Sequence, residues 1–253
     1  YYLRFQKGAI NSLIEEAIVQ AGRKGVKVIS LGLLNQASFY LPISEHPHLK
    51  IKVVDGSSLA VAVILNSSPK GTTQVVLRGN LTKVAYAIAY AFSQKGIQVA
   101  TLHQAEYMKL AKSLSATESS LVLAASYTHM VMCSSLEENE YKMTIFFLSA
   151  PRGTLFVPFS HLPQKKKKKK LRKDCFDHHT PAMKIPTSLE NVHSCENWLP
   201  RRVMRAWRIA GIVHALEGWK EHDCDNTMSN TEKIWQASLR HGFHPLVVTT
   251  QPM

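Results

Sequence analysis

A single glycine between an apolar run and a helical pattern is the first feature of this sequence that could bind a ligand. Residues 74–88 read QVVLRGNLTKVAYAI, and Gly79 stands where a dinucleotide-binding unit has its phosphate loop. Such a loop needs one glycine for the tight turn, a second where backbone meets the pyrophosphate, and a third where helix packs on strand. In the short-chain dehydrogenase spacing TGxxxGxG, Lys83 and Ala85 occupy the two later positions. The candidate cofactor-binding residues of this degenerate loop are Gly79, Asn80, Thr82 and Lys83.

Two further features disfavour an intact NAD(P) site. The next apolar run, residues 97–102, is followed by His103 where an acidic residue would hold the adenine ribose, and Glu106 lies further along. None of the eight tyrosines has a lysine four residues later, as the catalytic pair of short-chain reductases requires. Lys83 could contact a phosphate as a cation, but that would be a different site. The loop therefore predicts a structural βαβ unit, and an NAD(P)H-dependent acyl or aldehyde reductase is the enzymatic alternative.

Metal-binding and nucleophilic residues are present without an established spacing. The chain has 12 histidines and four cysteines but no HExxH, no CxxC and no GxSxG motif. The segment richest in ligands is HALEGWKEHDC, residues 214–224, whose two histidines lie eight residues apart across Gly218. Cys195 lies two residues from His193, a spacing that seldom brings two side chains together in a helix. We expect no metal site and no catalytic residue in this chain.

Four arginines form a second candidate surface. Residues 198–216 (WLPRRVMRAWRIAGIVHAL) have a helical apolar pattern. Arg201, Arg202, Arg205 and Arg208 recur at spacings that place them on one stripe of that helix. This pattern is typical of a basic amphipathic helix that docks on a membrane surface or a partner. It is also typical of a domain helix with a solvated arginine face, so both interpretations stay open.

The elements that must position these residues alternate along the first half of the chain. Apolar, β-branched runs predict strands over residues 26–31, 51–54, 74–77 and 97–102. Helical patterns cover residues 9–21, 59–65, 80–94 and 106–114. This alternation predicts the α/β class, with a Rossmann-like, mostly parallel sheet, helices on both faces and a helical C-terminal part. We predict an α/β part over 1–127, an irregular segment over 128–187 and a helical part of the same domain over 188–253. Further expectations are strands at 144–148 and 154–157 and a helix at 232–240 with a capping box of Ser229 and Glu232.

The charge is concentrated in one run rather than on a face of the fold. The net charge is +13, and eight of the positive charges come from Lys165–Lys170, Arg172 and Lys173. Such a run is typically a solvated tract, and anionic lipid headgroups or nucleic acid are the alternative partners. No aromatic residue is interleaved with the lysines, which disfavours nucleic acid as a partner. No apolar run approaches the roughly 18 residues that span a bilayer. The four cysteines suggest no disulfide framework and fit a reducing, cytosol-facing setting.

Several longer strings resemble one known family. In order, the chain contains AINSLIEEAIVQA, KGVKVISLGLLNQ, VVDGSSLAVAVILNS, PKGTTQVVLRGNLTKVAYAIA, TLFVPFS, LRKDC, SCENWLPRRVM and AGIVHALEGWKEH. These strings resemble the C-terminal domain of the plant eceriferum-type very-long-chain aldehyde decarbonylases, which form cuticular-wax alkanes. SCENW and RRVM are similar to the alkane-forming branch rather than to its reductase-like partner branch. The match covers most of the chain, which begins at Tyr1 and is expected to be a fragment.

The resemblance implies a protein of the endoplasmic-reticulum membrane, with this domain on the cytosolic side. It implies a di-iron centre held by histidine boxes in an N-terminal half, a reductase-like paralogue as partner and cytochrome b5 as electron donor. No HxxxH or HxxHH string occurs here, so no metal ligand can be assigned to this chain. The expected role is accessory or regulatory. Two departures, a segment near residues 128–147 without the expected Gly-Asp-Gly turn and the inserted lysine run, suggest a mispredicted or degenerating gene copy.

Overall fold

The fold was analysed in a computed structural model, which describes residues 7–31, 50–79, 81–114, 120–124, 131–134, 149–159, 174–177, 181–190, 192, 196, 199–224 and 228–246. The chain divides into two compact units. Unit 1 comprises residues 1–62 and 183–244, and unit 2 comprises residues 63–182 and 245–253. The predicted boundaries at residues 127 and 187 do not coincide with this division and stay a prediction about the domains.

The secondary structure consists of short strands and six helices within the described residues. The helices are α1 (Lys7–Arg23), α2 (Ser57–Ser67), α3 (Lys83–Gln94), α4 (Gln104–Ser113), α5 (Ala206–Glu217) and α6 (Thr231–Arg240). The strands are β1 (Val28–Ser30), β2 (Lys52–Val54), β3 (Gln74–Arg78), β4 (Gln98–Thr101), β5 (Leu121–Leu123), β6 (Val131–Ser134), β7 (Leu155–Pro158), β8 (Phe176–Asp177), β9 (Ala182–Lys184), β10 (Val203–Arg205) and β11 (His244–Pro245).

Unit 1 is built from the two ends of the chain. Strands β1 and β2 pair in parallel, with Val28 opposite Lys52, and Asp223 adds a parallel bridge to Val54. A second sheet has the order β10-β9-β11. The apolar face of α1 contributes Ile18 to a core cluster with residues of β1 and β2. Helix α5 packs on both strands and on α6.

Unit 2 holds a six-stranded sheet in the order β5-β4-β3-β6-β7-β8, and every neighbouring pair is parallel. Numbered from β3, this is the order 3-2-1-4-5-6 that doubly wound dinucleotide-binding sheets use. Four of the five residues of β3 are buried, as expected for a strand at the centre of a parallel sheet. Helices α3 and α4 connect β3 to β4 and β4 to β5. Parallel sheets flanked by helices confirm the predicted α/β class.

Strand β6 shows where local pattern is insufficient. It lies in the segment that has no clean sequence period, yet it pairs with both β3 and β7, with Val75 opposite Val131. The segment thus supplies a central strand of the sheet. The predicted strand at 144–148 lies outside the described residues, as do Lys165–Lys170.

The structure corrects two predictions near the C-terminus. The helix predicted from residue 198 is wrong over its first half, because residues 203–205 form β10 and α5 begins only at Ala206. The capping box of Ser229 and Glu232 is also wrong. Asn230 caps α6, and its side-chain oxygen accepts hydrogen bonds from the backbone N–H groups of Glu232 (2.9 Å) and Lys233 (3.0 Å). The N–H of Ser229 donates instead to Oδ1 of Asp223.

Candidate functional site

The loop after β3 is the candidate ligand site that the sequence singled out. Gly79 follows the buried end of β3 and has a φ of +106°, a value that favours glycine. Thr82 caps α3, and its hydroxyl oxygen accepts a hydrogen bond from the N–H of Ala85 at 3.4 Å. The helix therefore begins at Lys83, three residues later than predicted. Asn80, the fourth candidate of the loop, lies outside the described residues.

The sheet places this loop at a topological switch point. From β3, the chain adds β4 and β5 on one side, whereas β6, β7 and β8 extend the sheet on the other. In open α/β sheets, ligands bind outside the carboxyl ends of the strands where the strand order reverses. Gly79 stands at the carboxyl end of β3 and therefore occupies the position that a phosphate loop would have.

The residues around the loop fit a dinucleotide only in part. Ala85 is fully buried, so a small residue at the third glycine position does allow close packing. Lys83 is half-buried. It occupies the position where a second glycine would let the backbone approach the pyrophosphate. At the end of β4, Thr101 is fully buried and His103 caps α4, so neither supplies a carboxylate for a ribose. The loop keeps the turn and the packing of a nucleotide site but not its ribose acid.

The four arginines do not form one surface. Arg201 and Arg202 lie in an exposed turn before β10, and Arg208 is half-buried in α5. Arg205 is fully buried, with its Nε 3.5 Å from Oε1 of Glu196, and its backbone N–H donates to Oε2 of Glu196 at 3.2 Å. Burial lowers the pKa of the Arg205 guanidinium, and the charge of Glu196 opposes that shift. The predicted stripe is wrong, because the first three arginines precede the helix and one of them is in the core.

Arg202 has a structural role in its turn. Its φ of +61° lies in the left-handed region, which a non-glycine residue seldom adopts. The N–H of Val203 donates to the carbonyl of Pro200 and closes the turn at 3.1 Å. The guanidinium of Arg202 donates to the carbonyl oxygens of Pro186 and Leu189, the latter at 3.3 Å. These bonds hold the strained turn against the segment before it.

A buried polar cluster among the described residues of unit 1 was not predicted from the sequence. Ser58, near the start of α2, donates a 2.5 Å hydrogen bond to Oδ2 of Asp223. Nε2 of His214, on α5, lies 3.8 Å from the same carboxylate oxygen, and all three side chains are fully buried. Oδ1 of Asp223 accepts from the N–H of Ser229 at 2.9 Å. No local signal could have identified this cluster, because its members come from positions 58, 214 and 223.

The electrostatics of the cluster keep His214 neutral at ordinary pH. The pKa of His214 is lowered to about 4, chiefly by burial and also by the charge of Lys233, while the charge of Glu221 opposes the shift. The carboxylate of Asp223 would favour the protonated ring, but at 3.8 Å it does not outweigh the burial. The His214 ring meets Trp219 edge-on, with centroids 4.7 Å apart, and the Nζ of Lys233 lies 4.5 Å from the Trp219 ring centroid.

The arrangement does not perform nucleophilic catalysis. In a Ser-His-Asp triad the imidazole stands between the hydroxyl and the carboxylate and carries the proton. Here the carboxylate of Asp223 stands between Ser58 and His214, and the serine has no access to a substrate. The cluster instead joins α2 to the segment before α6 through two hydrogen bonds to Asp223, which are strong in a low-dielectric interior. The His214 ring of α5 packs beside the same carboxylate at 3.8 Å without a hydrogen bond.

The segment HALEGWKEHDC does not assemble a metal site. Nδ1 of His222 accepts a hydrogen bond from the N–H of Val53 at 3.2 Å, and Cys224 lies in the apolar cluster around Ile18. Burial, with the charge of Lys52, lowers the pKa of His222. Within the part of the chain that the structure describes, no group of three or more His, Cys, Asp or Glu side chains could hold a metal ion. His193 and Cys195 lie outside that part.

None of the described helices is both long and apolar enough to cross a membrane.

Comparison with known proteins identifies the family. The sequence model described as CER1-like, C-terminal domain, matches residues 75–245. The chain belongs to this family. The family resemblance inferred from the sequence strings is thereby confirmed.

Individual relatives show how far the similarity extends. The chain is 50% identical over 249 residues to Protein CER1-like 1 of Arabidopsis thaliana, covering 94% of this chain and 38% of the relative. It is 47% identical over 263 residues to the Very-long-chain aldehyde decarbonylase CER1 of the same plant, covering 98% of this chain and 40% of the relative. The Very-long-chain aldehyde decarbonylase GL1-4 of Oryza sativa subsp. indica is 46% identical over 253 residues, covering 97% of this chain and 39% of the relative. The chain thus spans about two fifths of the length of these CER1-like family members.

Proposed function

We propose that this chain is an accessory C-terminal domain in the conversion of very-long-chain aldehydes to alkanes, a reaction of cuticular wax synthesis. The observation that carries the proposal is membership of the CER1-like family, together with 46–47% identity to relatives named very-long-chain aldehyde decarbonylases. The chain corresponds to 39–40% of each of these relatives, so the activity of the whole protein is inferred for this chain from them.

The proposed role is structural or regulatory rather than chemical. The strand order of unit 2 supports a Rossmann-like scaffold, and the Gly79 loop combines the turn of a phosphate loop with a lysine at the second glycine position. A di-iron centre, which the family resemblance implies for an N-terminal half, would supply the oxidative chemistry. The described residues of this chain do not fit such a centre, since they offer no cluster of three metal ligands.

A chimera tests the proposal. The C-terminal 40% of the Arabidopsis decarbonylase relative would be replaced by this chain, in yeast that makes very-long-chain aldehydes, and alkanes would be measured by gas chromatography. We expect alkanes from the chimera, few from the relative without its C-terminal part, and none from this chain alone. Alkane synthesis by this chain alone, or equal yields with and without it, would contradict the accessory role.

The same cells test the other proposals for the parent protein. We propose a location at the endoplasmic-reticulum membrane with this domain on the cytosolic side, and partnership with a reductase-like paralogue and cytochrome b5. Co-expression of these two proteins should raise the alkane yield of the chimera. Protease treatment of sealed microsomes should degrade an epitope on this domain. Protection of the epitope would contradict the cytosolic orientation.

A second candidate function is reduction of an acyl or aldehyde group by NAD(P)H. Its specific support is Gly79, which has a φ of +106° and lies at the switch point of a sheet with the strand order of dinucleotide-binding proteins. Titration of the purified chain with NADPH and NADH, followed by nucleotide fluorescence, tests it. Saturable binding that Gly79→Val abolishes would favour the reductase, and no binding up to millimolar concentration would remove it.

A further inference from the structure

We propose that the outward face of α3 and α4 docks on an anionic lipid surface. This α3–α4 face consists of Tyr86, Tyr90, Lys95, Met108, Lys109 and Lys112. The inference comes from unit 2 alone and does not depend on the proposed function.

The topology puts both helices on one side of the sheet. Helix α3 crosses from β3 to β4 and α4 from β4 to its next neighbour β5, so the chain moves in one direction across adjacent parallel strands. Because such crossovers are right-handed, both helices cover the same sheet face. Helix α3 also contacts α4. Their outward sides therefore form one continuous surface.

Two large apolar side chains are exposed on this surface. The inward side of α3 buries Val84, Ile88 and Phe92 fully. On the outward side Tyr90 is 51% exposed and Met108 is 59% exposed. A shallow, open depression of about 610 Å³ lies along α4, and the described residues that line it are Tyr107, Met108, Lys109, Ala111 and Lys112. The depression gives a lipid an apolar recess beside two lysines.

The charge of the surface selects the partner. The α3–α4 face carries three lysines, Lys95, Lys109 and Lys112, and the two helices contain one acidic residue, the half-buried Glu106. Such a face is attracted to anionic headgroups, while lysine stems lie along apolar surface. Tyrosine is enriched both at the membrane–water interface and in protein–protein interfaces, so the lysines decide between the two. The centres of protein–protein interfaces are depleted in lysine, whereas anionic headgroups attract it, so this face fits a lipid surface better than a protein partner.

Vesicle binding by the full chain tests the proposal. The reference chain has Lys165–Lys170 replaced by Gln, because that run would bind anionic lipid by charge alone. Co-sedimentation would compare phosphatidylcholine vesicles with vesicles containing 30% phosphatidylserine, each at about 0.1 M and 0.5 M salt. The variants are Lys109→Gln with Lys112→Gln, and Met108→Ser. The matched control, Lys24→Gln with Lys27→Gln, makes the same change of net charge on exposed residues of unit 1. Circular dichroism would verify the fold of each variant.

The expected result is binding of the reference chain to anionic but not neutral vesicles, weakened by salt. Each lysine near such a surface is worth about fivefold, so the double lysine variant should bind roughly 25-fold more weakly. Met108→Ser should cost about fivefold, and the control should bind as the reference does. The proposal is overturned by a reference chain that does not bind. It is also overturned by equal weakening in the control, or by unchanged binding of Met108→Ser, since attraction would then be charge alone.

Discussion

The imidazole of His214 is fully buried in unit 1, and its pKa of about 4 predicts that acid destabilises the chain. In the unfolded chain a histidine has its ordinary pKa of about 6.5. At a pH between these two pKa values, the unfolded state binds a proton that the folded state does not. The free energy of unfolding therefore falls as the pH falls. The stabilising effect of the neutral ring is complete above pH 6.5 and is lost progressively towards pH 4.

The size of the effect follows from the two pKa values. The difference between the two pKa values corresponds to about 3 kcal/mol in the free energy of unfolding. About 2 kcal/mol of this stability is lost between pH 7.5 and pH 5.0. For a chain of 253 residues this corresponds to a fall in melting temperature of about 4–8 °C. His222 also has a lowered pKa and adds to the acid sensitivity in the same direction.

The contribution of His214 can be isolated with His214→Gln, which does not titrate. Urea unfolding, followed by the fluorescence of Trp207, Trp219 and Trp235, would be measured from pH 7.5 to pH 5.0. We expect the substitution to lower stability at pH 7.5 but to remove about 2 kcal/mol of the pH dependence. His244→Gln, at an exposed position, is the control and should leave the pH dependence unchanged. Full acid sensitivity in His214→Gln would refute the reasoning, because the proton would then be taken up elsewhere.

Three further predictions concern packing and strain in unit 1 and the loops. A Cβ at Gly56, whose φ is +75°, would lie 2.2 Å from the carbonyl oxygen of Trp207, so Gly56→Ala should cost more than about 3 kcal/mol in urea unfolding. Gly71→Ala, with a φ of +83° and no neighbour within 4 Å, should cost about 1 kcal/mol, and equal costs would contradict the steric argument. Glu196→Ala should cost about 3–5 kcal/mol because it leaves the guanidinium of Arg205 buried without that carboxylate, and adding Arg205→Met should recover most of the loss. If the double variant recovers no stability, the broken ion pair is not the cause of the destabilisation in Glu196→Ala. Arg202→Gly should be about 1 kcal/mol more stable than Arg202→Ala in thermal melts, since both lose the side-chain hydrogen bonds but only glycine relieves the positive φ. A more stable alanine variant would contradict the assignment of strain.

Local patterns in the sequence were sufficient for the four helices and the first four strands, up to residue 114. The apolar period of residues 9–21 marks the core of α1, and the β-branched run at 74–77 becomes β3. Gly79 was recognised as a turn position, and its φ of +106° confirms that the turn requires glycine. These predictions succeed because side-chain periodicity and the freedom of glycine act within a few residues.

The arginine stripe shows how a correct period can mislead. Residues 198–216 have helical spacing, but β10 occupies 203–205 and pairs with β9 far away in sequence. Arg205 was expected on a solvated face, and it is buried because Glu196 provides a carboxylate beside it. The local sequence pattern predicts neither the strand pairing nor the buried ion pair, since both depend on contacts with residues outside the pattern.

The sequence by itself determined the family of this protein, the α/β class, the position of the glycine turn and the loss of a ribose-binding acid after β4. These properties depend on residue identity and short-range order. Tertiary structure alone decided that β6 lies beside β3, that the Gly79 loop stands at the switch point, and that Ser58, His214 and Asp223 meet in a dry interior. The physical reason is that strand pairing and desolvation are properties of surfaces brought together by folding, and residues 58 and 223 become neighbours only there.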